Sequence, residues 1–393
     1  MVAYRSYTAM IILMSFYYLF FKEYMIFAGM FPYVLFFLPI ILLLVIFLPQ
    51  LINRLTLPKD ILLFLIFGII YLLIDILTRD FDGILEQIKF FVGIVAIYTL
   101  AKIAPMNVNY LKRYGCIFLL INLIYSVLVP SSTISFFTDN SKLYFGAAHH
   151  WIKIIIYLLI LYIWSLHLSI SKTNYSMVFF GFSMFLVFAF LSGSRGGLVV
   201  VLFVVFILLC KLKYEFKLKY IFIFFIFLSS IYILPLFLNG IVLDNIAGDY
   251  LKMDEGRDDI SSGRTWLQLY HLTLFNEYFY TGAPKELLEF KVGDLVDGEI
   301  AHAASESMFT FYLAREGIWG ALKLLILLYI FVLRPYISNN FIGFVAGSSI
   351  LLLSSTLSIL NNVYSFPYIY FVWLYFSIEL HFKRVSRTKI GAV

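Results

Sequence analysis

The sequence predicts an all-α, polytopic integral membrane protein of about twelve transmembrane helices. Three observations carry that prediction. Hydrophobic residues make up 62% of the chain and charged residues only 13%, whereas soluble globular domains carry roughly 25% charged residues. The apolar residues are gathered into unbroken blocks of about 16 to 20, the length a helix needs to cross a bilayer. The blocks lack the apolar–polar alternation of a transmembrane barrel strand.

In order, the blocks fall at about 7–21, 30–48, 60–78, 84–101, 111–129, 151–169, 174–192, 197–210, 218–237, 318–333, 341–360 and 363–380. The first follows Arg5 as a signal peptide's apolar core would, but no small-x-small cleavage site comes after it, so it reads as a retained helix. The blocks 7–21 and 197–210 are the shortest, below the ~17 residues a span ordinarily takes. Residues 1–237 thus hold helices one to nine, 238–317 form a long polar loop, and 318–393 hold the last three helices and a basic tail. Phe and Tyr near block ends suit the headgroup level, where amphipathic rings settle.

Charge sets the orientation. With the N-terminus in the cytoplasm, the inner loops and termini hold sixteen Lys and Arg, including Lys211, Lys213, Lys217 and Lys219 in one loop. The short outer loops and their helix ends hold six, so both termini read as cytoplasmic and the 238–317 loop as external. That loop carries fourteen acidic and six basic residues, a net of −8 within a chain of net +6. An acidic outer surface excludes nucleic acid as a partner and makes each arginine retained in the loop conspicuous. Within it, Thr265–Tyr280 has Trp266, Leu269, Leu272, Leu274 and Phe275 among polar residues, the pattern of an amphipathic helix that can lie on a bilayer. The two cysteines, Cys116 and Cys210, both fall in apolar blocks and read as buried thiols; no CxxC or His/Cys cluster points to structural zinc.

Five polar motifs stand against this background. Ser192-Gly193-Ser194-Arg195-Gly196-Gly197 lies between two spans at the outer edge: glycines admit close backbone approach, and a guanidinium fork suits phosphate oxygens. The alternative is a tight turn whose arginine snorkels to headgroups. Arg264, in Ser262-Gly263-Arg264, precedes the amphipathic helix and reads either as a second diphosphate contact or as a partner of Asp258 or Asp259. His302 and Glu306 are four apart and share a face if a helix already begins there, where either accepts a proton from a sugar hydroxyl. Otherwise Ser305 caps that helix and Glu306 sits near its positive end. His149 and His150 open the sixth span from outside; adjacent helical residues diverge by ~100°, a poor geometry for a two-histidine metal site, so they read as sugar-contacting interface residues. Asp80-Phe81-Asp82 is a three-residue match to a cation-holding DxD. Asp75, Lys323 and Glu379 are ionisable groups in or near apolar blocks, with Asp75 and Glu379 close enough to block ends to snorkel.

Taken in order, these features resemble the O-antigen polymerase and O-antigen ligase superfamily of bacterial surface-polysaccharide assembly. The matching features are Ser-Gly-Ser-Arg-Gly-Gly at 192–197, two spans, and a large outer loop with Ser262-Gly263-Arg264, Trp266 and Thr281-Gly282. Ser305-Glu306-Ser307 then precede Gly317 and Gly320. The resemblance covers residues 140–335 well and the rest by hydropathy. It implies a GT-C-like membrane glycosyltransferase of the bacterial inner membrane that acts on undecaprenyl-diphosphate-linked glycans at the outer face, inverts the anomeric centre, and needs neither metal nor cofactor. By the same resemblance, Arg195 and Arg264 hold the diphosphate and Glu306 or His302 is the base. Ser194, Ser305, His149 and His150 contact substrate. Implied partners are the lipid-linked donor and acceptor, membrane lipids, and a chain-length regulator protein. Glu306-Ser307 stand where ligases carry a His-Asn pair, which favours the polymerase branch of lipopolysaccharide biosynthesis over transfer to lipid A core. A lipid-linked oligosaccharide flippase and a scaffold for other assembly enzymes are the readings from other classes. Against the flippase, the polar residues cluster at one face and in one asymmetric loop, not at a midplane between repeated halves.

Overall fold

The structure, a computed structural model, describes residues 57–78, 81–103, 148–168, 182–183, 185–187, 189, 195–213, 218–238, 264–288, 307–357 and 366–390. Every regular element among them is helical, as the sequence predicts. The predicted blocks 7–21, 30–48, 111–129 and most of 174–192 lie outside the described residues. The chain divides into two compact units: Met1–Leu62 with Val92–Val201 and Phe366–Val393, and Leu63–Phe91 with Leu202–Ser365.

Helix α1 is Lys59–Thr78, α2 Phe81–Ile103, α3 Ala148–Leu168, α4 Arg195–Lys213 and α5 Lys219–Leu238. Then follow α6 (Arg264–Glu277), the short α7 (Lys285–Leu288), α8 (Met308–Glu316), α9 (Ile318–Leu328), a π-helical turn (Tyr329–Leu333), α10 (Arg334–Ile337), α11 (Phe341–Leu357) and α12 (Phe366–Ile390). Among the described residues, one continuous helical run, Ile318–Ile337, is long and apolar enough to cross a membrane by length and composition. Shorter apolar runs lie in Phe90–Lys102, Ile155–Trp164, Gly196–Lys211, Lys219–Ile233 and Phe341–Thr356. Helix α4 has 19 residues, longer than the block 197–210 because Arg195 begins it and Lys211 to Lys213 continue it.

In the first unit, α3 and α12 run parallel: Tyr157 meets Phe371 at 5.6 Å and, further along both, Trp164 meets His381 at 5.8 Å. Tyr98 of α2 packs edge-on against Phe376 at 5.1 Å. Gly197 is where α4 touches α3, since a Cβ there would stand 1.9 Å from Ile152 Cγ1. Glu379 is 1% exposed within this packing, which corrects the expectation that it snorkels from a helix end. Cys210, in the other unit, is a free thiol of intermediate exposure and not the buried one expected; Cys116 lies outside the described residues.

In the second unit α5 and α11 are parallel, with Tyr220 against Phe341 near their starts at 6.1 Å and Tyr232 hydrogen bonded to Ser355 near their ends. Lys211 lies over the Phe341 ring at 5.5 Å and Lys219 over Tyr220 at 5.6 Å, so the lysine-bearing ends of α4 and α5 gather at one end of the unit. From Lys219 to Tyr232 the helix rises about 20 Å at 1.5 Å per residue, which separates that basic end from the polar end described below. The run from α9 to α10 returns antiparallel to α11 through a tight turn at Ser338 to Asn340, in which Asn339 takes φ 53° and Asn340 Oδ1 accepts from Gly343 N–H at 3.0 Å to cap α11.

The π turn has a local cause. Pro335 has no N–H to offer the Phe331 carbonyl one helical turn back, and that carbonyl is turned to α11, where a Cβ on Gly347 would stand 1.8 Å from it. Only glycine lets the two backbones meet there, with a Cα–H facing the oxygen. Residues 341–356 are all buried, and the hydroxyls of Ser349, Ser354, Ser355 and Thr356 bond to carbonyls three or four residues back. These four hydroxyls thereby enter a dry helix contact with their donors paired, whereas that of Ser348, also buried, has no hydrogen-bond partner among the described residues.

Candidate functional site

The predicted extramembrane segment supplies α6, α7 and α8, which form a small helical cap. Leu274 of α6, Ala283, Leu288 and Ala314 of α8 make its buried core, with Tyr270, Tyr278 and Leu287 packed against it. Tyr270 Oη donates to the Leu287 carbonyl at 3.0 Å. The predicted amphipathic helix 265–280 is observed as Arg264–Glu277, followed by a turn over Tyr278 to Thr281. Its inner face is carried by His271 and Leu274, while Leu269 and Leu272 are exposed.

The cap is tied to the membrane-length helix by backbone bonds from its own turn. Gly282 N–H donates to Tyr278 O at 2.8 Å, Ala283 N–H to Ala314 O at 2.8 Å, and Ile318 N–H to Phe279 O at 2.7 Å. Gly317, at φ 58° and ψ −136°, makes the sharp corner between α8 and α9. A Cβ on Gly317 would meet the Phe279 carbonyl oxygen at 2.3 Å, and one on Gly320 the Tyr312 carbonyl oxygen at 2.0 Å. Three glycines singled out by motif order, Gly282, Gly317 and Gly320, thus serve one junction.

Helices α6 and α8 lie parallel. His271 meets Phe311 at 5.9 Å, and Leu274 shares a cluster with Ala314, each pair forty residues apart in sequence. A constant offset puts the two N-terminal ends together, so Arg264, the first residue of α6, stands at the same end as Ser307, which immediately precedes α8. Ser307 is extended and does not cap its own helix. Its hydroxyl instead bonds Tyr232 Oη of α5 at 2.9 Å, and Tyr232 also bonds Ser355 of α11. Three helix ends and the start of α6 therefore define the polar end of the second unit, opposite Lys211 and Lys219.

His302, Ser305, Glu306, Ser194 and Asp80 lie outside the described residues. Arg195, Arg264, His149, His150, Asp75 and Asp82 are described as helix positions only: Arg195 opens α4, Arg264 opens α6, and the two histidines stand in the first turn of α3. The N-cap position of α8 belongs to Ser307, not to Ser305 as one reading expected, because the helix starts at Met308. Among the described residues, no group of three or more His, Cys, Asp or Glu comes together to hold a metal ion.

Two features escaped the sequence reading. His271 is completely buried, neither ring nitrogen has a hydrogen-bond partner among the described residues, and burial pushes its imidazole down to about 4. It is therefore neutral at neutral pH, seven residues from Arg264 and on the same helix face. The other is a buried polar cluster at the corner. Lys323 Nζ donates to Glu316 Oε1 at 3.0 Å and to Gln87 Oε1 at 2.9 Å, and Gln87 Nε2 donates to the same Glu316 oxygen at 2.5 Å. The sequence marks Lys323 as an ionisable group within an apolar block; its partners, one of them 236 residues away, carry no signal in sequence.

No known protein-family model matches the chain, and comparison with curated proteins yields no match.

Proposed function

We propose that the chain is a polytopic membrane glycosyltransferase that polymerises undecaprenyl-diphosphate-linked oligosaccharide repeat units into O-antigen or a related surface polysaccharide. The observation that carries the reading is the parallel α6/α8 pair, which brings the Arg264 end of one motif to the Ser307 end of another forty-three residues away. Arg264 and Ser307, distant in sequence, belong to one end of one unit, whereas Arg195, in the first unit, enters the reading through the superfamily resemblance alone. The separation of that end from Lys211 and Lys219 supports an external cap and a cytoplasmic lysine loop. Eleven further spans and the inner-membrane location rest on hydropathy, charge asymmetry and the superfamily resemblance.

The chemistry asked of the protein is modest. An acceptor hydroxyl attacks the donor's anomeric carbon from the face opposite the diphosphate; its proton passes to Glu306 or His302 as the carbon–oxygen bond to the diphosphate breaks. The anomeric centre inverts, and Arg195 and Arg264 take up the negative charge of the leaving group. Orientation and electrostatic stabilisation supply the acceleration, because the leaving group is already a good one. The expected consequence is that Arg195→Ala and Arg264→Ala, each accumulating in membranes at the native level, abolish chain elongation. Long polymer of native length from both variants would end the proposal.

A further inference from the structure

Lys323 lies in the helical run of membrane length, is 1% exposed, and has its ammonium 3.7 Å from the centre of the Tyr312 ring and 4.2 Å from that of Phe90. Glu316 is 0% exposed, and its Oε2 has no hydrogen-bond partner among the described residues. The pair straddles Gly317, so each charge belongs to one arm of the corner: Glu316 ends α8 and Lys323 is in α9. Gln87, 2% exposed, adds α2 to both.

A buried ion pair is a poor way to gain stability, because desolvation offsets its attraction and apolar residues of like volume do as well or better. What it supplies is geometry. Apolar side chains let the two arms of a corner slide, whereas a charge held between a carboxylate, an amide oxygen and two ring faces accepts one arrangement. The corner angle sets where α8 points, and through the α6/α8 contact it sets where Ser307 and Arg264 stand.

We propose that Gln87, Glu316 and Lys323 are positioning residues: a buried ionic clamp that fixes the angle between the cap and the membrane-length helix and so aligns the cap's polar end for transfer. Its effect on turnover rests on the glycosyltransferase reading; its effect on geometry does not.

The test uses full-length protein in lipid nanodiscs. Glu316→Gln with Lys323→Met removes both charges together, so no buried charge is stranded. Nitroxides at cysteines replacing Leu269 of α6 and Leu325 of α9, both exposed, in a background with Cys116 and Cys210 replaced by Ala, report the cap-to-helix distance. The native clamp gives one narrow distance distribution, and the double variant a broadened or displaced one. With lipid-linked repeat units as substrate, kcat falls on the order of ten- to a hundredfold, as a displacement of about 1 Å produces, while KM changes by less than about twofold. A pair that only packs would leave both readings at the native values, and that result overturns the proposal. Should the double variant not fold, Gln87→Leu keeps the ion pair and cuts the tie to α2; a native distance distribution and native kcat in that variant overturn it equally. If the native protein forms no polymer from these substrates, the glycosyltransferase reading fails, and the distance measurement alone decides whether the clamp exists.

Discussion

Replacing Gly317 by alanine should break the junction on which the cap depends. Its backbone, at φ 58° and ψ −136°, lies in territory that side chains avoid, at a cost of about 1–3 kcal/mol. The new Cβ would also stand 2.3 Å from the Phe279 carbonyl oxygen. Moving that carbonyl away sacrifices the 2.7 Å bond from Ile318 N–H and leaves a half-buried amide unpaired, a further ~1–3 kcal/mol at most. The two together give about 2–6 kcal/mol, concentrated at the corner. The assay is thermal unfolding of the purified protein at one fixed scan rate, with protease cleavage within 264–316 followed in parallel, since unfolding of such proteins is commonly irreversible. The expected result is a lowered transition and faster cleavage of the cap. A variant that unfolds and resists cleavage as the native protein does would refute the account of the corner.

Further outcomes follow from the same contacts. Lys323→Met alone should destabilise by about 3–5 kcal/mol, because it leaves Glu316 charged and buried, whereas pairing it with Glu316→Gln should restore most of the loss in thermal unfolding. Gly347→Val should cost at least the ~1–3 kcal/mol of an overpacked contact, since even its Cβ would press into the Phe331 carbonyl; native stability would contradict the close approach of α11. For His271, the folded imidazole is held down at about 4, below the ~6.5 of an unfolded histidine. The unfolded chain therefore binds more protons between those values, and the stability this burial confers is present above pH ~6.5 and lost as pH falls toward ~4. At most ~3 kcal/mol is at stake at 1.36 kcal/mol per unit, and His271→Leu should flatten the pH dependence of unfolding across that window.

The helices of the described residues were largely legible because apolar block length is a direct readout of what a helix must bury. The blocks 60–78, 218–237 and 341–360 are observed as Lys59–Thr78, Lys219–Leu238 and Phe341–Leu357. The order of Gly282, Gly317 and Gly320 was also visible, but as motif alone; the close backbone approaches that demand glycine appear only when α6, α8 and α9 are together. His271 was missed because in a helix with Leu269, Leu272 and Leu274 the leucines outweigh it, yet Leu269 and Leu272 face outward and the histidine inward. Glu379 was misread for a related reason: nearness to a block end says nothing of what packs around it. The Gln87–Glu316–Lys323 cluster joins residues more than two hundred positions apart, which no periodicity or spacing can express.

The most direct test of the central claim is a chain-length-resolved assay in which purified native protein and Arg264→Ala receive synthetic undecaprenyl-diphosphate repeat units with a chelator present. The account predicts a ladder of products from the native protein and none from the variant. A native preparation that binds lipid diphosphate but yields no ladder would contradict it, and product formed only when lipid A core is added would place the chain with the ligases instead.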